Sequence, residues 1–103
     1  MRVLMKVSMP VEEGNRLVRA GKLEETIKAI LAEQKPEAAY FLADHGKRTG
    51  LIFLNVQDSS EIPKLAEPWF LALNAGIEMT PVMTPEDLAK AGPAFESALK
   101  KYG

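Results

Sequence analysis

The fold is decided by residues 38–56, AAYFLADHGKRTGLIFLNV, which contain two nearly continuous apolar runs on either side of a polar segment. We interpret the runs 38–43 and 51–56 as β-strands. The segment 44–50 between them, rich in Gly and Asp, predicts a turn, and therefore an antiparallel hairpin. A strand at the surface of a monomer alternates apolar and polar side chains, whereas these runs are apolar on both faces. Both faces of the hairpin should therefore be packed against other protein surface.

The segment before the hairpin predicts one strand and two helices. Residues 2–9 alternate with a period of two and stop at Pro10, which indicates a strand. Residues 11–34 have apolar positions at helical spacing. Gly21 weakens this pattern, so we expect a break there and a better helix from Leu23 onwards.

The segment after the hairpin predicts a helix, a strand and a final helix. Asp58 and Glu61 have the spacing of a capping box and start the first of these elements. Residues 77–83 form the strand, and Pro81 places it at a sheet edge because proline cannot donate to a ladder. Thr84 followed by proline is a strong start signal for the last helix.

This order predicts an α+β fold of the ferredoxin-like βαββαβ type with an extra C-terminal helix, in one domain spanning residues 1–103. The four-stranded antiparallel sheet would have the first and third strands at its centre and the second and fourth at its edges. A doubly wound nucleotide-binding fold is the weaker alternative. It needs a helix between all successive strands and a glycine-rich phosphate loop, and the sequence has neither.

The two faces of this sheet differ in composition. One face is wholly apolar, and we expect the helices to cover it. The other carries aliphatic and aromatic residues interrupted by Lys6, Asn55 and Glu78. Because so much apolar surface is unusual in contact with water, we predict that two copies pair through this face as a twofold homodimer.

Composition excludes several classes of protein. Thirteen Lys and Arg nearly balance fourteen Asp and Glu, which argues against a nucleic-acid or membrane-surface partner. There is no cysteine, so thiol chemistry and disulfides are absent. No secretory segment and no membrane-spanning run is recognisable, and we expect a cytoplasmic protein.

Residues 69–88, together with the βαββαβ order, resemble short bacterial members of the dimeric α/β-barrel superfamily. The resemblance implies a homodimer and a small-molecule pocket between the sheet and the helices of each subunit. It also implies either cofactor-free chemistry of the isomerase, monooxygenase or cyclase type, or ligand binding without catalysis. Several enzymes of the superfamily carry catalytic histidines on strands, and this chain has no counterpart of them.

Lys6 is the most unusual candidate because it interrupts an apolar central strand, where an unpaired ammonium would be costly to bury. Glu78 shares its predicted face on the neighbouring strand. We expect an ion pair between them, at or near the dimer interface. The alternatives are an anchor for an anionic ligand and a lysine that extends into solvent.

The remaining candidates have ordinary structural explanations as well. His45 could exchange protons beside Asp44, although a solvated turn residue is the simpler interpretation. The aromatic residues could line a pocket or fill the core. No metal site and no cofactor is expected, because one histidine without cysteine is a poor ligand set. The candidate ligand-binding residues are Lys6, Tyr40, His45, Phe53, Asn55, Trp69 and Glu78.

Two functional hypotheses follow. In the first, the homodimer binds a small, largely apolar molecule, with or without cofactor-free catalysis. In the second, the chain is a non-catalytic assembly module with a filled interior. An apolar cavity of roughly 300 Å³ or more beneath Trp69 would favour the first hypothesis.

Overall fold

A computed structural model describes every residue from Met1 to Gly103. The elements in chain order are β1 (Arg2–Ser8), α1 (Val11–Arg19), α2 (Leu23–Gln34), β2 (Ala38–Asp44), β3 (Lys47–Asn55), α3 (Ile62–Leu73), β4 (Gly76–Pro81), α4 (Pro85–Lys90) and α5 (Gly92–Tyr102). The strands form one antiparallel sheet in the order β2-β3-β1-β4. The fold is therefore the predicted ferredoxin-like βαββαβ arrangement, extended at its C-terminus. None of its helices combines the length and the apolar character needed to cross a membrane.

The β2–β3 hairpin is tighter than the sequence predicted. Asp44 pairs with Lys47, so the turn contains only His45 and Gly46. Both have a positive φ, 52° and 74°, as a two-residue hairpin of type I′ requires. The predicted seven-residue turn is wrong, because the ladder continues through the polar residues that we assigned to it. This extension places Asp44 on the sheet.

The core lies between the sheet and α1–α3, on the face predicted to be wholly apolar. Met5 and Val7 of β1 and Ile52 of β3 are completely buried there, together with Trp69 and Leu73 of α3. The apolar side of α3 thus packs against the central strands. The edge strand β2 is less well covered than the central strands.

The last two helices form a C-terminal arm, residues 84–103. Thr84 caps α4 as predicted: its hydroxyl accepts a hydrogen bond from the Asp87 N–H at 3.0 Å. The Asp87 carboxylate accepts one from the Thr84 N–H at 3.1 Å. No residue of α4 or α5 is buried. The radius of gyration is 17.3 Å, whereas a compact domain of about 100 residues has roughly 13 Å.

Candidate functional site

The face of the sheet that points away from the helices, called here the open face, carries most of the predicted candidates. Strand register and alternation define its members, which are Arg2, Leu4, Lys6, Ser8, Ala38, Tyr40, Leu42, Asp44, Lys47, Thr49, Leu51, Phe53, Asn55, Gly76, Glu78 and Thr80. The structure thus brings five of the seven candidate residues onto one surface, and it places His45 at the end of that surface. Trp69 lies on the other side of the sheet.

Aromatic and aliphatic side chains occupy the β1–β3–β2 part of the open face. The rings of Tyr40 and Phe53 pack edge to face, with centroids 6.4 Å apart and planes at 82°. Tyr40 is 62% exposed and Leu42 is 41% exposed. Leu51 is half-buried beside them. The open face is therefore an apolar surface with no cover within its own chain.

Two ion pairs lie at opposite ends of this apolar surface. Lys6 Nζ is 2.6 Å from Asp44 Oδ2 at the turn end of the hairpin. At the other end, Arg2 Nε is 2.7 Å from Glu37 Oε2. An apolar centre with charged groups at its margin is the usual anatomy of a protein–protein interface.

The structure pairs Lys6 with Asp44, and the predicted pairing with Glu78 is wrong. Glu78 lies directly across from Lys6 in the β1–β4 register and on the same face, as expected. It forms no ion pair. Its negative charge acts on the lysine only through space, where it helps to raise the pKa of Lys6. The sequence does not indicate Asp44 as the partner, because the Gly- and Asp-rich segment 44–50 predicts a turn and Asp44 in fact belongs to β2.

Asp44 joins Lys6 and His45 into a small charged cluster. The hydrogen bond from the Lys6 ammonium lowers the pKa of the Asp44 carboxyl, and a second one from His45 lowers it further. The same contact with Asp44 raises the pKa of Lys6. His45 Nδ1 lies 3.1 Å from Asp44 Oδ2, but its side chain is 87% exposed. The cluster is open to water, and it can pair charges or hold an anion at Lys6.

Asn55 has a structural role at the end of β3. Its side-chain oxygen accepts a hydrogen bond from the amino group of Met1 at 3.0 Å. The same amino group also donates to the carbonyl of Val56. Asn55 therefore anchors the start of β1.

Trp69 is completely buried in the core and separated from the other candidates by the sheet. Its indole N–H donates to Gln34 Oε1 at 3.1 Å. Gln34 in turn donates through Nε2 to the carbonyl of Leu65 at 2.8 Å. No buried side-chain polar atom lacks a partner. Trp69 thus fastens α3 to the end of α2 and does not line any of the three larger cavities.

The largest cavity is a groove of about 630 Å³ beside the edge strand β2, and we call it the α2–β2 groove. It is lined by Val18, Gly21, Leu23, Glu24, Ile27, Lys28, Leu31 and Phe41. Phe41 packs against Gly50 and is 50% exposed, because α1 and α2 do not reach far enough to cover it. Lys28 Nζ and Glu24 Oε1 form an ion pair of 2.8 Å in the groove lining.

Sequence reasoning missed this groove. Phe41 alternates with the wholly apolar face of the sheet, and a residue in that position is expected to lie under the helices. Two signals together could have found it: β2 was predicted at a sheet edge, and Leu23, Ile27 and Leu31 recur every four residues on α2. Because no further strand lies beyond an edge strand, an apolar row on a helix above it stays open to solvent on that side.

No group of three or more His, Asp and Glu side chains is arranged to hold a metal ion. The chemistry that the described surfaces offer is apolar contact, with a few paired charges.

Comparisons with known proteins give no family. No protein-family model and no curated protein matches the sequence. Among solved structures, a formyltetrahydrofolate deformylase from Pseudomonas putida is similar in fold, with a TM-score of 0.48 and 16% identity. The match covers 80% of this chain and 29% of the deformylase. A similarity this distant assigns no activity and no ligand to the chain.

Proposed function

We propose that the protein is a homodimer of the dimeric α/β-barrel type and that each subunit binds a small, largely apolar molecule in its α2–β2 groove. The observation that carries this proposal is the groove itself, about 630 Å³ in volume. It lies between the sheet and the helices of one chain, where the sequence resemblance implies a pocket.

The size and lining of the groove fit a small ligand. Pockets for small molecules range from about 300 to 1,000 Å³ and have mostly apolar walls with a few polar groups. Leu23, Ile27, Leu31 and Phe41 supply such walls. The Glu24–Lys28 pair offers one charged contact for a polar end of the ligand. Since these two groups neutralise each other, the groove contains no free acid or base, and binding is favoured over catalysis.

The dimer is proposed to form through the open face. Tyr40, Phe53 and Leu51 would pack against the same residues of a second copy, with the Lys6–Asp44 pair at the margin. Pairing an apolar face with itself is what a twofold interface requires. It would remove exposed apolar side chains of the sheet, such as Tyr40 and Leu42, from water.

The ligand proposal is tested by native mass spectrometry of freshly purified protein, followed by titration with the apolar fluorophore Nile red. We expect a retained small molecule, or saturable Nile red binding. Ile27→Asp introduces a carboxylate into the groove and should weaken binding at least tenfold, because burying an unpaired charge is costly. Leu71→Asp is the matched control, since Leu71 is 81% exposed on α3 and lies outside the groove. Equal binding by both variants would refute the groove as the site.

An assembly module without a ligand is the second candidate. The complete burial of Trp69, with its N–H paired, favours it, because packed core occupies the place beneath that residue where a cavity would have favoured ligand binding. A dimer that retains no small molecule and does not bind Nile red would support this candidate over the first.

A further inference from the structure

The arm presents an apolar stripe that has no partner in its own chain. Phe95 is 60% exposed and Leu99 is 70% exposed on α5. Leu99 follows Phe95 by four positions, so the two side chains lie along one side of the helix. A helix this amphipathic is stable when its apolar side packs against another surface.

The α2–β2 groove of the same chain is out of easy reach of this stripe. The arm follows β4, and the groove lies beside β2, at the opposite edge of the sheet. Three interstrand spacings, roughly 14 Å, separate the two edges. The core between α1–α3 and the sheet fills the direct path on the helix side.

We propose that α5 of one copy lies antiparallel to α2 of a second copy and covers its α2–β2 groove. The stripe of α2 consists of Leu23, Ile27 and Leu31, which repeat every four residues as the α5 stripe does. Rows of residues four apart on two helices can interdigitate. The apolar side chains of the arm would then lie over the uncovered ring of Phe41.

Charge order selects the antiparallel direction. On α2, Glu24 and Lys28 each follow a stripe residue by one position, and on α5 Glu96 and Lys100 do the same. In antiparallel helices these flanking positions fall on the same side of the contact, as they do in antiparallel coiled coils. One register then brings Lys28 opposite Glu96 and Glu24 opposite Lys100. A parallel arrangement would place the two charged rows on opposite sides.

The arm would complete the groove, because the mouth between α2 and β2 is open within one chain. A helix across it would exclude water from the apolar walls. This inference uses the groove of the proposed function, but docking of the arm does not require a ligand. The two ideas can therefore fail separately.

Because the chain has no cysteine, engineered cysteines give a direct test. Lys28→Cys and Glu96→Cys are made in separate chains of different tag length, mixed, and oxidised. A disulfide that joins two chains of different tag length can form only between copies. We expect this mixed dimer to form at least tenfold faster than with Lys28→Cys and Ser97→Cys, because Ser97 lies on the opposite side of α5 from the stripe. Equal rates, or no mixed dimer, would overturn the inference.

A second variant tests the stripe without cysteine. Phe95→Ser should raise the dissociation constant of the dimer at least tenfold, whereas Phe70→Ser, on exposed α3 surface, should not. An unchanged constant for Phe95→Ser would also overturn docking on a second copy. Disulfide formation without Nile red binding would leave the arm in place and remove the ligand proposal. Nile red binding without disulfide formation would keep the ligand proposal and remove the proposed docking of the arm.

Discussion

Lys6 Nζ lies 2.6 Å from Asp44 Oδ2, so the ion pair reaches from β1 across β3 to the edge strand β2. The pair explains how a lysine is accommodated in a central strand. Its ammonium has a charge partner on the open face, at the margin of the apolar surface. If two open faces meet, Lys6 would enter the interface already paired.

The lowered pKa of Asp44 predicts a pH dependence of stability. A carboxyl whose folded pKa is depressed stabilises the fold above its unfolded value, near 3.9, and loses that contribution as the pH falls through the lower folded value. The difference in unfolding free energy between wild type and Asp44→Asn should therefore shrink as the pH is lowered below about 4. Urea titrations at one protein concentration measure it.

The cause of that shift can be separated with two further variants. Lys6→Met and His45→Ala should each raise the pKa of Asp44 towards its ordinary value, since each removes a hydrogen bond and a nearby positive charge from the carboxylate. Carboxyl chemical shifts followed by NMR report both. An unchanged pKa in either variant would contradict that contact as a cause of the shift.

The aromatic centre of the open face should determine dimer affinity. Tyr40→Glu places a charge in the proposed interface, and truncating or charging such a residue typically costs about 2 kcal/mol of binding, roughly 30-fold in the dissociation constant. Leu71→Glu is the control, because Leu71 is exposed on the helix side of the molecule. Sedimentation equilibrium gives both constants, and equal values would argue against the open face as the interface.

The hydrogen bond between Trp69 and Gln34 should stabilise the core. Gln34→Met leaves the buried indole N–H and the Leu65 carbonyl without their present partner. The expected loss in unfolding free energy is about 1–3 kcal/mol. Gln57→Met, at an exposed position, should change stability by less than about 0.5 kcal/mol. Chemical denaturation would contradict the prediction if the two variants were equally stable.

Lys35 ends α2 in the left-handed region, with φ of 49°. A residue with a Cβ is strained there, while glycine is not. Lys35→Gly should therefore raise the unfolding free energy by about 1 kcal/mol, although part of the gain is offset by the flexibility of the unfolded chain. Lys35→Ala keeps the Cβ and should give no gain. Thermal unfolding compares the three proteins, and a gain with alanine would contradict strain as the cause.

The sequence predicted the architecture well because local signals agreed with one another. Pro81 indicated an edge strand, Gly21 marked the break between α1 and α2, and the Thr84 cap started α4. Each of these depends on backbone geometry that a single residue type favours or forbids.

The candidate site was harder to predict because it depends on strand length and on how far the helices reach. Extending β2 by one residue moved Asp44 from a solvated turn to the face that carries Lys6. Phe41 alternates like a core residue, yet no helix lies over it completely. Local sequence does not show where a strand ladder ends among polar residues. It also does not show how far a helix extends over an edge strand.

We propose that the open face is covered by a second copy of the chain, and light scattering coupled to size-exclusion chromatography measures whether it is. The molar mass should be twice the 11.3 kDa of one chain. A single species at the mass of one chain, at every concentration loaded, would rule this dimer out.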